Sequence, residues 1–310
     1  MMTDRQRAIT ALTLGQPDYV PTFELEYQLA DIKFGKDFLM REQLAGLSAA
    51  ERERAILENA EYMVQVYSAL GYSIIPVHYL EPDDMVTTAK HINKITNGTY
   101  LLAAHGDGTY AIPDGAGMIE FVYGLYDYPG EGKAKARAMA DAAIEQNKRY
   151  IDAGIECLLL CSDYCFNDGP FISPAMFEEF VQPYLADIIA NIRRDGGYAI
   201  KHTDGNIMPL LDMLVDCNPH ALHSLDPMAG VDIKVLKERI GKKVALCGNV
   251  HCAHLQTGTD EQVLESCRYA MENGKPGGGY FFCTSNVPFK GMPPERYDMV
   301  LDFWRKNRDY

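Results

Sequence analysis

The chain has 310 residues, 47% apolar and 23% charged, and its 29 Lys and Arg against 43 Asp and Glu give a formal charge of −14. An acidic chain without a basic stripe suits neither a nucleic-acid backbone nor an anionic membrane surface, no apolar run reaches the roughly 18 residues that span a bilayer, and the apolar content argues against disorder. The opening MMTDRQRAIT has no apolar export core, so a globular cytoplasmic protein is expected, and the cysteines, all between Cys157 and Cys283, are expected as free thiols.

Thr3–Leu12 reads as a short amphipathic helix and Tyr19–Leu25 as a strand. Apolar Ile56, Ala60, Met63, Val64 and Tyr67 recur at three- and four-residue steps, which predicts a helix over Ala49–Leu70 ended by Gly71. Tyr72–Val77 follows as a strand, and Asp84–Pro113, rich in Thr, Asn and Gly, reads as short β segments. Gly132–Ala153 is helical and Glu156–Leu160 a short apolar strand. Ser173 and Pro174 open a helix as cap and first residue, and it continues to about Arg194. Four more apolar runs, Tyr198–Ile200, Ala221–Leu222, Val244–Cys247 and Tyr280–Phe282, alternate with helical segments near Ile207–Val215, Val231–Ile240, Glu261–Glu272 and Pro294–Lys306. The repeated strand–helix order predicts a parallel sheet, and about eight such units close a (β/α)8 TIM barrel, here one α/β domain over residues 1–310 with an N-terminal helical extension. An open doubly wound sheet is the alternative. Against it, no glycine-rich fingerprint follows the first strand, and Gly277–Gly279 precedes a strand.

In a barrel, side chains just beyond the strands gather at one rim. Those positions hold Glu24, Glu26 and Tyr27, then His78 and Tyr79, then Asp163 and Tyr164, then His202, Asp204 and Asn206, then His223 and Asp226, and finally Asn249, His251, Cys252, Cys283, Ser285 and Asn286. His105, in a Gly-rich loop, is within reach. A lone histidine at a strand end is commonly a hydrogen-bonded core group. The convergence of His78, His202 and His223 on one rim points instead to acid–base or metal chemistry, and His251 and His254 carry that argument less far. The segment KHTDGN (Lys201–Asn206) is the most specific. It delivers His202 and Asp204 two residues apart on one side of an extended chain, Gly205 permits an abrupt turn, and Asn206 can cap the helix from Ile207.

The segments RQRAITALTLGQPDYVP, CSDYCFNDGPFISPAMFEEFVQPY, KHTDGNI, ALHSLDPMAGVDIKVLKERIGKKVALCGNV and GGGYFFCTSNVP resemble the uroporphyrinogen decarboxylase superfamily. That barrel superfamily includes porphyrinogen decarboxylases and cobalamin-linked methyltransferases. The resemblance is strongest in the second half, and roughly residues 25–130 diverge. The decarboxylase branch sets arginines against a polycarboxylate, whereas Pro17–Phe38 holds none and PTFELEYQL brings two glutamates that would repel it. The zinc-dependent thiol methyltransferases use a His-x-Cys pair and a later Cys. Here His202 matches the histidine, Asp204 and Asn286 stand where the thiolates would, and Cys283 lies three residues off.

The remaining resemblance is to the first methyltransferases of anaerobic O-demethylase systems. It implies transfer of a methyl group from a small methoxylated, aromatic compound to the Co(I) of a separate corrinoid protein, which supplies the cobalamin. On this reading His202, Asp204, His78 and Asp163 are catalytic, and Glu24, Glu26, Tyr27, Tyr79, Tyr164, His223 and Asn286 contact substrate. If zinc assists the departing oxygen, His202, Asp204 and His223 hold it. A homodimer fits the resemblance. The alternatives are a zinc-dependent corrinoid or thiol methyltransferase with altered ligands, a decarboxylase, and a non-enzymatic binder on the same barrel.

Overall fold

The computed structural model describes residues 2–310. Its strands, in chain order, are β1 (Ile74–Pro76), β2 (Leu101–His105), β3 (Cys157–Cys161), β4 (Cys165–Phe166), β5 (Gly169–Pro170), β6 (Tyr198–His202), β7 (Ala221–His223), β8 (Ala245–Cys247) and β9 (Tyr280–Phe281). Seven of them form one parallel sheet in the order β1-β2-β3-β6-β7-β8-β9, while β4 and β5 make a small antiparallel hairpin beyond β3. Each parallel step needs a crossover, and helices such as Pro129–Asp152, Gln182–Arg194 and Asp260–Gly274 supply it. Buried on both faces, the strands read as apolar runs: Leu158, Leu159 and Leu160 of β3 and Ala199 and Ile200 of β6 are fully buried.

The sheet curls until its two edges meet across one extended segment. The Ser73 amide donates to the Thr22 carbonyl at 2.8 Å on the β1 side, and the Phe282 amide donates to the Pro21 carbonyl at 3.0 Å on the β9 side. The Thr22 hydroxyl adds a bond to the Phe282 carbonyl at 2.6 Å. The expected strand Tyr19–Leu25 therefore occupies the eighth place in the ring, held by isolated bridges rather than by a continuous ladder. Pro17 and Pro21 lack amide donors, which limits the ladder this segment can form.

The helix Ala49–Leu70 forms as expected. Ser48 and Glu51 make its capping box, and Gly71 ends it in the left-handed region at φ 81°. Two expectations are corrected. Most of Asp84–Pro113 is not β: Pro82–Thr96 is a helix, burying Met85, Ala89 and Ile92 at successive turns. The helix from Ser173 does not run unbroken to Arg194. It divides into Pro174–Phe180 and Gln182–Arg194 at Val181, where Pro183 removes a donor and crowds the preceding turn.

Candidate functional site

Strand β6 sends alternate side chains to opposite faces, so Lys201 and His202 part company. Lys201 turns away from the His202 side and is fully buried. Its Nζ donates to Asp107 Oδ2 at 2.8 Å and to the Leu160 and Ser162 carbonyls at 3.0 and 2.9 Å. Asp107 also accepts from the Ser162 amide and from the Thr109 amide and hydroxyl. Burial would raise the Asp107 carboxyl, but the Lys201 ammonium and the Thr109 bonds outweigh it and hold it below its ordinary value. This buried pair anchors the loop that leaves β3 and carries Asp163.

His202 sits in register with His223 of β7, and their rings meet Nδ1 to Nδ1 at 2.9 Å. The other ring nitrogen of His202, Nε2, lies 3.7 Å from Asp163 Oδ1 and 3.8 Å from Asp204 Oδ1. Asp204 is held from three sides. Its own amide donates to Asp163 Oδ1 at 2.9 Å, the Ser224 hydroxyl donates to its Oδ1 at 2.7 Å, and the Asn286 amide donates to its Oδ2 at 2.6 Å. Gly205 turns the chain away at φ 80°, where a Cβ would come within 2.5 Å of the Cys165 carbonyl oxygen, so the turn requires glycine. Asn206 caps the next turn through the Met208 amide, as its position suggests.

Burial, with the Asp163 and Asp226 charges, pushes Asp204 up to about 6 against the bonds from Ser224 and Asn286. Burial, with the Lys201 and His105 charges, lowers His202 to about 3, and burial with His202 nearby takes His223 far down as well. Both imidazoles are therefore neutral at pH 7, and the carboxyl of Asp204 is the group here that changes charge closest to neutrality. A cleft of about 500 Å³ opens beside Asp204 and Asn286, lined also by Asn167, Asp226, Cys252 and Phe289 and by no lysine or arginine.

The remaining expected site residues are distributed unevenly. Glu26 lies near enough to His105 to oppose the lowering that burial imposes on that ring. His105 is the last residue of β2 and not a loop residue, with its ring edge-on to His78 at 4.3 Å. His78 is tied through Nε2 to the Leu25 carbonyl at 2.8 Å, and burial and His105 lower it to about 3. It is thus a neutral, committed ring, not a charged acid. Tyr27 and Tyr79 line a separate cavity of about 230 Å³ with Phe38 and Lys290.

Two of the expected substrate contacts point elsewhere. Alternation sends Phe23 inward against His223 and Phe281 and turns Glu24 outward, where it accepts from the Thr284 amide and hydroxyl and from the Tyr297 hydroxyl. Tyr164 is buried against Phe177, shares a 2.6 Å bond with the Thr109 hydroxyl and lies under the Lys201 ammonium.

The expected metal set of His202, Asp204 and His223 is also corrected. Asp163, His202 and Asp204 offer ligand atoms within 4.8 Å of one another, while His223 spends its nearest nitrogen on His202. One imidazole and two carboxylates suit zinc or another divalent ion that accepts nitrogen and oxygen donors. No thiolate joins them: Cys283 is buried with its Sγ beside the Phe281 carbonyl, and the Asn286 amide faces Asp204. Half-buried Cys161, in register with His202 on the neighbouring strand, is a rim group that sequence reasoning passed over among the buried cysteines.

Residues 110–307 match the model of the uroporphyrinogen decarboxylase (URO-D) family. No curated protein sequence matches the chain. Among solved structures, a methyltransferase from Methanosarcina mazei superposes with a TM-score of 0.75 at 15% identity, covering 99% of each chain. A protein from Sinorhizobium meliloti gives a TM-score of 0.48 at 16% identity over 86% of this chain and 100% of that one. An N-acetylneuraminate lyase from Fusobacterium nucleatum gives 0.42 at 9% identity over 81% and 74%.

Proposed function

The chain belongs to the uroporphyrinogen decarboxylase family, and from that premise we propose that it is a methyltransferase that moves a methyl group from a small methoxylated aromatic compound to the Co(I) of a separate corrinoid protein. The observation that carries this reading is the trio Asp163, His202 and Asp204 beside a cleft without a cationic side chain. A polycarboxylate would meet like charge from Asp204 and Asp226 there, which argues against decarboxylation of a porphyrinogen. Loss of a methyl group from an ether needs no cationic cradle. It needs a proton or an electrophile at the oxygen that is left behind.

In the reaction the ether carbon–oxygen bond breaks, the methyl carbon is captured by the incoming nucleophile, and the oxygen keeps the electron pair and must gain a proton. Asp204 is built for that delivery. It holds its proton into the range near neutrality, and Ser224 and Asn286 fix both of its oxygens. Asp163, bonded to the Asp204 backbone, keeps the two carboxyls together, and negative charge on one favours the proton on the other. A zinc ion held by His202 Nε2 and one oxygen each of Asp163 and Asp204 would supply Lewis-acid polarisation of the same oxygen.

The test is direct. The purified chain is mixed with a reduced corrinoid protein and a panel of methoxylated aromatics, and loss of Co(I) absorbance is followed together with release of the phenol. Stoichiometric appearance of both products supports the reading. Absence of both, with a corrinoid protein shown to accept methyl groups from another donor, sinks it.

A further inference from the structure

The contact between His202 and His223 joins like atoms, Nδ1 to Nδ1 at 2.9 Å. One hydrogen fits between two such nitrogens, so the neutral pair has two arrangements. In the first, His202 donates. Its Nε2 is then a bare lone pair 3.7 Å from Asp163 Oδ1, an oxygen that already accepts the Asp204 amide, so lone pair meets acceptor. The hydrogen of His223 must then sit on Nε2, and that atom is buried with no partner, on a ring packed edge-on to Phe23. A buried donor without an acceptor forfeits its full hydration.

In the second arrangement His223 donates. His202 then carries its hydrogen on Nε2, on the side of the Asp163 carboxylate, and what remains unpartnered on His223 is an acceptor nitrogen, which folded proteins tolerate more often than an orphaned N–H. Both conflicts of the first arrangement disappear together. We infer that His223 is a positioning residue that fixes His202 as the Nε2–H form, so that His202 presents a hydrogen-bond donor to the rim and a cation reaches its Nε2 only after the hydrogen moves to Nδ1. That move leaves His223 with a buried, unpartnered N–H, so His223 opposes metal entry at the very ring it orients. The inference goes beyond the methyl-transfer reading and does not rest on it.

The experiment reads the hydrogen itself. Protein labelled with nitrogen-15 histidine and stripped of metal by a chelator is studied at neutral pH by long-range proton–nitrogen correlation, with the His202 signals identified by their loss in His202→Gln. A bare Nδ1 and a protonated Nε2 on His202 are expected, and a bare Nε2 overturns the inference. A second variant, His223→Glu, replaces the donor ring with a carboxylate that accepts from Nδ1. The His202 hydrogen should then change places, and Zn²⁺ alone, titrated by calorimetry, should bind roughly ten- to a hundredfold more tightly, the range that partners of metal-binding histidines command. A folded His223→Glu protein with wild-type Zn²⁺ affinity overturns the inference. If that variant does not fold, the wild-type spectrum decides alone.

Discussion

Substitution of Asp107 by Asn tests whether the charge buried behind β6 holds the site together. The Lys201 ammonium has no solvent exposure and its one charged partner is Asp107, at 2.8 Å. Asn keeps one acceptor for Thr109 but turns an NH2 group toward the Lys201 ammonium and the Ser162 amide, which are both donors. Removing one member of a buried pair leaves the other uncompensated, at a cost of about 3–5 kcal/mol. At roughly 2–3 °C per kcal/mol for a protein of this size, the melting temperature should fall by about 6–15 °C. The assay is urea unfolding of wild type, Asp107→Asn, Lys201→Met and the double variant, followed by circular dichroism. Because the two residues touch, the double variant should be more stable than the sum of the singles by about 2–3 kcal/mol, the upper end of measured couplings. A single Asp107→Asn cost below about 0.5 kcal/mol, the level of an ordinary surface change, would refute the reasoning, as would strictly additive singles.

Three further outcomes are expected. Asp204→Asn should lower methyl-transfer turnover by about 10²–10⁴-fold, the contribution of a positioned acid, with an unchanged melting curve; equal turnover in the two proteins would remove Asp204 from the chemistry. Glu24, pushed by burial to about 8 from an unfolded value of 4.5, stays neutral in the fold across that interval. Its contribution is fully present below 4.5 and lost as pH rises toward 8, by about 5 kcal/mol in all, so the stability of Glu24→Gln relative to wild type should climb over that window, and a flat difference would contradict the assignment. Gly205→Ala places a methyl group against the Cys165 and Phe166 carbonyls at a left-handed backbone position, so it should both destabilise the protein and weaken turnover through a displaced Asp204; a variant with wild-type melting and kinetics would show the turn to be adaptable.

The strand ends were legible because the physics there is local. In β6, β7 and β8 short buried apolar runs end within one residue of His202, His223 and Asn249, and the ring geometry then places those groups at one rim. The helix Pro82–Thr96 was not legible. Its threonines look like strand formers, but Thr87, Thr88 and Thr96 satisfy their hydroxyls on carbonyls four residues back, which lets them sit in a helix. Nor could the sequence say that His223 faces His202 while Asp163 faces the open side. That depends on the register between β6 and β7 and on the hairpin that follows Asp163. The Lys201 pairing was hidden for a different reason: its partner lies 94 positions away, and nothing in KHTDGN shows that the lysine points backwards.

The closing segment of the ring has a consequence for how the molecule is assembled. Val20 is clasped from the far end of the polypeptide: its amide reaches the Arg308 carbonyl, and the Trp304 indole donates to its own carbonyl at 2.8 Å. An early stretch and a late helix thus meet like the two halves of a buckle. That helix holds in place the neighbouring Pro21–Thr22 segment, which covers the edges of β1 and β9, and strand edges left uncovered invite pairing with other chains. Shortening the protein at its tail would undo the clasp first and the ring with it, whereas cutting at a surface loop and joining the two ends would leave the clasp intact.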